Sequence, residues 1–255
     1  MSGPSREERL SQAFVELTDT LVDDFDVVDL LTTLALHCVD LLDVRSSGVM
    51  LSDPDGNLRV IGASSEESHD LDIREIQSDQ GPCLDCYRTG RIQSAPDLDT
   101  ETRWRRFVPM ARALGYRSIH AIPLRLRGSV IGALNLMRTV PGHLPDSELR
   151  TAQALADIAT VGLFSHRRAA TADLLTDQVL AVRTSRSHVE RAVGIVAEHG
   201  RVGTAVAFRA LRERARQDGV RMSELARDIT LGAFDVAALD SLLDGLLDER
   251  DQETG

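Results

Sequence analysis

The chain has 255 residues, of which 42% are hydrophobic and 27% are charged, and its formal net charge is -11. This composition is typical of a folded globular protein, and the length fits one large domain or two ordinary ones. All 29 basic residues are arginine, and only 4% of the residues are aromatic. The acidity therefore argues against a protein that coats nucleic acid or anionic membrane indiscriminately, and the scarcity of aromatic residues argues against a broad base-stacking platform.

The number of cysteines and the lengths of the apolar runs indicate the cellular compartment of the protein. Three cysteines, Cys38, Cys83 and Cys86, are too few and too unevenly spaced for a secreted disulfide framework. The N-terminal residues lack the basic stretch and apolar run of a signal peptide. No apolar stretch approaches the roughly eighteen residues of a membrane-spanning helix. The sequence therefore predicts a cytoplasmic protein with no membrane partner.

The first part of the chain combines helical and strand patterns. Apolar residues at spacings of mostly three, four and seven predict helix from Ser5 to Leu42, in two pieces broken near Asp23 to Asp26. Four short apolar runs separated by turn residues predict two β-hairpins. The connection between the hairpins carries helical signals around Cys83 to Thr89 and Trp104 to Leu114. The predicted hairpins pair residues 47–51 with 58–62, and residues 118–126 with 129–137.

The pattern of apolar residues predicts helices throughout the second part of the chain. The absence of proline after Pro145, as far as about Glu198, allows about fifty residues of helix. An irregular apolar seam along this segment is long enough to pair with a second copy, which predicts a parallel coiled coil and a homodimer. Glycines then punctuate three shorter helices. The predicted helices end near Gly200, cover residues 204–217 and 222–229, and are followed by an acidic amphipathic helix over residues 237–247.

These elements predict an α+β fold class: an antiparallel sheet flanked by helices, then a long connecting helix and a three-helix unit with an acidic tail helix. The predicted domains are residues 1–170, with a core over about 25–165, residues 171–230, and a tail over residues 231–255.

The negative charge is unevenly distributed among these segments. Residues 171–230 hold 10 arginines and 8 acidic residues, so this segment is net basic, whereas residues 231–255 hold 1 arginine and 7 acidic residues. Arg209, Arg212 and Arg216 are spaced to share one helix face. Such a face can be ordinary solvated surface balanced by nearby glutamates, or it can be a local anion-binding surface.

The same segment resembles the ANTAR domain of bacterial transcription antiterminators. The resemblance rests on Ser185 to Glu198, with an alanine and glycine pair at Ala192 and Gly194, on the string from Ala207 to Arg216, and on Ser223 to Ala226. It implies a three-helix unit, usually dimeric through a preceding coiled coil, that binds paired short RNA hairpins in nascent transcripts and prevents a terminator from forming. RNA-binding residues implied in this way are Arg183, Arg186, His188, Arg191, Arg209, Arg212 and Arg216.

One position departs from the ANTAR pattern. These domains commonly have a lysine between the alanine and the glycine of the first motif, whereas this chain has Val193. If that lysine approaches RNA, a phosphate contact has been lost, and either Arg191 compensates or the RNA target differs. A valine here can equally be buried against the tail helix.

The upstream part resembles a GAF domain, a sensory fold with an antiparallel sheet between helices. The resemblance rests on the stretch from Asp79 to Gly90, on Trp104 to Phe107, on Leu114 to Ser118, and on the apolar runs of the second hairpin. It implies a cavity above the sheet for a small-molecule ligand of unknown identity. The predicted walls of this sensor pocket are Met50, Cys83, Cys86, Tyr87, Trp104, Phe107 and Met110, although such residues are more often core than ligand contacts.

Cys83 and Cys86 have the spacing of a dithiol redox pair or of half a zinc site. The chain offers neither a second cysteine pair nor a closely spaced histidine pair, so no metal is expected. A thiolate at the start of a helix after Gly81 and Pro82 would suit redox sensing, whereas packing beneath the pocket is the simpler interpretation. No catalytic motif is recognisable, so an enzyme and a cofactor are not expected.

Together these features predict a signal-responsive regulator that binds RNA and causes transcription antitermination under control of an N-terminal sensor. The alternatives are a DNA-binding or protein-interaction regulator with a degenerate ANTAR domain, and a redox sensor that uses Cys83 and Cys86. A methionine sulfoxide reductase using the same cysteines ranks last. The acidic tail adds a further hypothesis, that it folds onto the basic face and competes with RNA.

Overall fold

The computed structural model describes residues 5–19, 27–53, 55–126, 128–167 and 188–244. Within them, five antiparallel strands form one sheet in the order β2-β1-β5-β4-β3. Both predicted hairpins are present, β1 with β2 and β4 with β5, and β1 also pairs with β5. The strands are β1 Ser46–Ser52, β2 Leu58–Ala63, β3 Gln93–Ala95, β4 Ser118–Leu126 and β5 Ser129–Arg138.

Helices cover both faces of this sheet. On one face lie α1, α2 and α6, and on the other lie α3, α4 and α5. The predicted N-terminal helical segment forms two helices, and both helical signals between the hairpins correspond to helices. The bounds are α1 Arg6–Asp19, α2 Val27–Leu41, α3 Glu66–Ser78, α4 Pro82–Thr89, α5 Phe107–Ala113 and α6 Asp146–Arg167.

Alternate residues of the central strands face opposite layers, because successive side chains of a strand point to opposite faces. Val49 lies in the core under α1, α2 and α6, whereas the next residue, Met50, lies in the core under α4. The strands are therefore apolar on both faces. Gly62 lies on the edge strand β2 and allows this strand to approach the backbone of α2 closely. A Cβ atom at residue 62 would lie 2.5 Å from the backbone carbonyl carbon of Leu31 in α2.

Helix α3 was not predicted from the sequence. Ser65 caps the start of α3 in a capping box. The Ser65 hydroxyl accepts from the backbone amide of Ser68, and the Ser68 hydroxyl accepts from the backbone amide of Ser65. Its buried face includes two acidic residues, Asp72 and Glu75, beside the apolar Leu71. Buried acids break the apolar period on which the sequence prediction depended.

The C-terminal part is a helical unit with its own apolar core. Helix α7 covers residues 188–200, and Gly219, with φ of 65°, ends α8 in the left-handed conformation that glycine adopts without strain. The predicted domain boundary near residue 170 and the second half of the predicted coiled-coil seam lie outside the described residues. The first half of the seam lies on α6, where the core of the sheet domain, and not a second copy of the chain, covers Leu149, Leu155, Ile158 and Leu163. The remaining elements are α8 Thr204–Asp218, α9 Met222–Thr230, a 3-10 turn at Val236–Leu239 and helical residues 240–244.

The beginning of the acidic tail is part of this core. Leu239 and Leu243 are buried with residues of α7, α8 and α9. A Cβ atom added at Gly200 would lie 2.7 Å from a methyl carbon of Leu243, so the tail lies directly on the end of α7. The Asp240 carboxylate lies 2.7 Å from Nε2 of His199. The tail is therefore packed onto the helical unit by leucines and joined to it by a polar contact.

Candidate functional site

Three of the predicted RNA-binding arginines are exposed in the described parts of α7 and α8. Arg191 on α7 and Arg209 on α8 are exposed. Arg216 is also exposed, one heptad after Arg209 on the same helix face, and its guanidinium forms a 3.2 Å ion pair with Glu213 of the same helix. An exposed pair of this kind contributes little to stability, so Arg216 is available to an anionic ligand. Arg183 and Arg186 lie outside the described residues.

His188 has a role within the helical unit. Its Nδ1 atom lies 2.7 Å from the hydroxyl of Thr230, which joins the start of α7 to the end of α9. The side chain is half-buried. This contact fixes the position of α7, and hence of Arg191, relative to α9.

Arg212 contacts the sheet domain. Its Nη1 atom donates to Oε2 of Glu16 on α1 at 2.9 Å, and its Nε atom lies 3.2 Å from Oδ1 of Asp29 on α2. Although burial opposes it, the two carboxylates raise the pKa of the Arg212 guanidinium. His37 lies 3.3 Å from the same Glu16 oxygen, and together with Gln12 and Arg212 it lowers the pKa of Glu16 to about 2. The carboxylate therefore stays ionised across the physiological range.

Val193 lies between the two parts of the protein. Its side chain is buried in the apolar core of the helical unit and lines a cavity of about 450 Å³ at the boundary with the sheet domain. Across this cavity lie Val28 and Leu36 of α2, and Phe208 of α8 contributes to the same wall. Of the two interpretations given above, burial is the observed one. The lining includes residues of the sheet domain and none of the tail.

The predicted sensor-pocket residues lie on the α3 to α5 side of the sheet but in two separate apolar clusters. Met50, Cys83 and Cys86 are buried in one, with Tyr87 packed against it. The other cluster consists of ten buried residues, including Trp104 and Phe107, with Met110 at its margin. The indole nitrogen of Trp104 donates to Asp85 of α4 at 2.8 Å. These side chains therefore act as core, and none of them lines the cavity at the domain boundary.

Two buried acidic residues of α3 lie beside the cysteines, and the sequence analysis missed both. Oε1 of Glu75 accepts from the backbone amides of Cys83 and Leu84, at 2.6 and 3.1 Å, and so caps α4. Asp72 accepts from the side-chain amide of Asn135 on β5 at 2.9 Å. Burial, and then the charge of Asp72, raise the pKa of Glu75 well above its ordinary value. The only sign of this pair in the sequence was the presence of two acidic residues three positions apart in a polar stretch.

The surroundings of the cysteines disfavour a thiolate. Cys83 and Cys86 are free thiols with no exposed surface. Burial raises the pKa of Cys86 to about 12, and burial, followed by the neighbouring acidic groups Glu75 and Asp72, raises that of Cys83 well above its ordinary value. Since a reactive cysteine needs a thiolate in an accessible position, this geometry weakens the redox alternative.

We expect all three cysteines to react slowly with dithiobis(nitrobenzoate) in the native protein at neutral pH. A rise of the Cys86 pKa from 9.0 to about 12 lowers its thiolate population about a thousandfold. The release of thionitrobenzoate should be at least about a hundredfold slower than from a free cysteine, and should reach three equivalents only in guanidinium chloride. Rapid reaction of Cys83 or Cys86 in the folded protein would restore the redox interpretation.

Neither a metal centre nor a membrane span was predicted. Within the described ranges, no group of three or more histidine, cysteine or acidic side chains is placed to hold a metal ion. Among the helices of the same ranges, none has the length and apolarity needed to cross a membrane.

The chain therefore combines a helix-covered antiparallel sheet with a separate arginine-bearing helical unit that has its own core. A family model described as a GAF domain matches residues 26–163, and one described as an ANTAR domain matches residues 177–229. The first match spans more than half of the chain. The protein belongs to the GAF-domain family, with an ANTAR domain following, and is therefore a protein of signal transduction and transcription regulation.

Solved structures share the fold of the sheet domain. The X-ray structure of free methionine-R-sulfoxide reductase from Neisseria meningitidis in complex with its substrate is 18% identical over 66% of this chain and 97% of that chain, with a TM-score of 0.51. A structure described as that of the GAF domain is 16% identical over 64% and 92%, with a TM-score of 0.51. A methyl-accepting chemotaxis protein, residues 122 to 287, is 18% identical over 63% and 99%, with a TM-score of 0.50.

At these identities the similarity shows the fold alone. No curated protein matches the chain.

Proposed function

We propose that the protein binds paired RNA hairpins in nascent transcripts and causes transcription antitermination, under control of its GAF domain. The observation that carries this proposal is the exposure of Arg209 and Arg216 on one face of α8, inside the segment that matches the ANTAR domain. Arg191 on α7 adds a third exposed guanidinium. Guanidinium groups bind phosphates bidentately and stack on splayed bases, which are the features that RNA hairpin loops present.

Homodimerisation is the second part of the proposal. The connecting segment follows α6, and a parallel pairing of that segment would bring two ANTAR domains together. Two linked domains gain affinity for two linked hairpins, because the second binding event becomes intramolecular. The apolar residues of the connecting segment beyond α6 support this stoichiometry, and measurement of mass by light scattering would test it.

The GAF domain supplies the control in this proposal. It acts in the cytoplasm as a binding module for a small molecule of unknown identity and performs no catalysis. The buried cysteines support this assignment over a reductase, since neither thiol is placed to attack a substrate.

We expect the double substitution Arg209→Glu and Arg216→Glu to weaken binding to a labelled two-hairpin RNA at least about thirtyfold. Each arginine contact of this kind is worth about 1 to 3 kcal/mol, and the reversed charges add repulsion. Fluorescence anisotropy at fixed salt measures the effect, with duplex DNA as competitor.

The matched control is Arg59→Glu with Arg88→Glu, which changes the net charge equally at two half-exposed arginines of the GAF domain. Equal loss in both double variants would mean that the charge of the whole protein governs binding, and would contradict an RNA site on α8. Displacement of the RNA by duplex DNA at equal concentration would favour the DNA-binding alternative instead.

A further inference from the structure

The ion pairs of Arg212 join distant parts of the chain. Its partners, Glu16 and Asp29, lie on α1 and α2 of the GAF domain, whereas Arg212 lies on α8 of the ANTAR domain. The side chain is 26% exposed, compared with 75% for Arg216 on the same helix. The GAF domain therefore covers one edge of the arginine-bearing face of α8 and leaves the other edge open.

The two acidic partners of Arg212 also make contacts with other residues of their own domain. Oε1 of Glu16 accepts from Nε2 of Gln12 at 3.1 Å, and His37 lies against its other oxygen. Oδ1 of Asp29 accepts from the hydroxyl of Thr33 at 3.4 Å. Each of the two carboxylates is therefore oriented by at least one neighbour in its own domain as well as by Arg212.

An apolar contact accompanies this ion pair, because Leu36 of α2 packs against the buried core of the ANTAR domain. Val193 and Phe208 of the ANTAR domain are 9% and 5% exposed and face Val28 and Leu36 of α2 across the boundary cavity. Glu190 of α7 lies 3.6 Å from Nε2 of His69 on α3. The residues that meet at the domain boundary therefore come from both α7 and α8, and not from Arg212 alone.

Two of the five N–H donors of Arg212 are directed at Glu16 and Asp29, and the two carboxylates beside the guanidinium offset its positive charge and would repel a phosphate. We propose that the contact of Arg212 with Glu16 and Asp29 is autoinhibitory: the GAF domain withholds Arg212 from RNA, and release of α8 from α1 and α2 makes the RNA-binding face complete. This inference rests on the proposed RNA-binding function. It places the control of that function in a contact between the two domains of one chain.

The expected effect follows from the population of the released form. When only a fraction of the molecules is competent to bind, the apparent Kd is the intrinsic Kd divided by that fraction. Weakening the Arg212 contact raises the fraction and tightens binding without adding any group that touches RNA. A gain in RNA affinity of more than fivefold requires that less than about one fifth of the unmodified molecules are in the released form.

The test uses the full chain with Glu16→Gln and Asp29→Asn, which keep the side-chain shapes and remove the two charges. We expect this double variant to bind a labelled two-hairpin RNA at least about fivefold more tightly than the unmodified protein. The matched control is Asp79→Asn with Asp99→Asn, which removes the same charge from surface ion pairs elsewhere on the GAF domain. It should leave the affinity within about twofold, since exposed pairs of this kind contribute little.

A second measurement reports the contact without RNA. Phenylglyoxal modifies accessible arginines, and mass spectrometry resolves Arg212 from Arg209 and Arg216. In the unmodified protein Arg212 should react several times more slowly than Arg209, and in the Glu16 and Asp29 variant the two rates should become similar. Circular dichroism confirms that the variant is folded.

The outcomes separate the two proposals. Equal RNA affinities in the double variant and its control, or an unchanged rate of Arg212 modification, would overturn the autoinhibitory contact. If Arg212 becomes reactive in the variant but no form of the protein binds RNA, the proposed function fails, while the capture of Arg212 by the GAF domain stands. Tighter binding together with faster modification supports both.

Discussion

Removal of residues 235–255 is expected to lower the free energy of unfolding of the ANTAR domain by about 4 kcal/mol or more. Leu239 and Leu243 would be lost from its core, where they are 0% and 2% exposed, and the loss of a buried leucine side chain costs about 2 to 5 kcal/mol. RNA binding should weaken as a consequence, because the arginines of α8 depend on the packing of that core. Urea unfolding followed by circular dichroism, together with RNA titration, measures both effects.

The control is removal of residues 245–255, which takes away four of the seven acidic residues of the tail segment and keeps both leucines. We expect this shorter deletion to leave the stability of the core within about 1 kcal/mol, because Leu239 and Leu243 remain in place. The hypothesis that the tail competes with RNA predicts the opposite of our first expectation, namely tighter RNA binding without loss of stability after the longer deletion. That result would show that the acidic charge, and not the leucine packing, is the main role of the tail.

Replacement of Glu75 by glutamine is expected to change how the stability of the GAF domain depends on pH. Burial raises the pKa of Glu75 in the folded protein well above the 4.5 of an ordinary glutamate. Between 4.5 and this raised pKa the folded state binds more protons than the unfolded state, so the contribution of Glu75 to stability is fully present below about pH 4.5 and is lost as pH rises. The slope in that interval approaches about -1.4 kcal/mol for each pH unit.

Glu75→Gln removes the titrating group while the side-chain carbonyl can still accept from the amides of Cys83 and Leu84. The variant should therefore lose this downward slope, so its stability relative to the unmodified protein should increase as pH rises, as measured by urea unfolding from pH 5 to 8. Asp97→Asn is a suitable control, because Asp97 is an acidic residue outside the α3 and α4 cluster whose contact is a local turn. Parallel stability curves for Glu75→Gln and the unmodified protein would contradict a titrating Glu75.

The sequence was sufficient for the elements whose apolar residues keep a regular period. The two hairpins of the sheet and helices α8 and α9 were predicted to within a few residues, because glycines and turn residues mark their ends. Helix α3 was missed because Asp72 and Glu75 occupy core positions that a single sequence reports as surface. Strand β3 has only three residues, Gln93–Ala95, and too few side chains for a visible alternation.

The site was predicted less completely than the fold. Helical spacing placed Arg209, Arg212 and Arg216 on one face, but it could not reveal that the GAF domain covers part of that face. The partners of Arg212 lie 183 and 196 residues earlier in the chain, and no local pattern links such positions. The same limit applies to Val193, whose burial depends on α2. Contacts between domains depend on tertiary packing, and the local spacing of apolar and charged residues does not predict that packing.

Gly62 places β2 against the backbone of α2 with no side chain between them. A side chain at that point would absorb a displacement of the strand by changing its rotamer, whereas two backbones in contact transmit the displacement directly. Helix α2 carries Asp29 and Leu36 on the side that meets the ANTAR domain, and Leu30 and Leu34 in the core beneath it. A single rigid helix is thus a wall of the sensor core and a part of the surface that holds the output domain, so rearrangement of the sheet edge changes both at once.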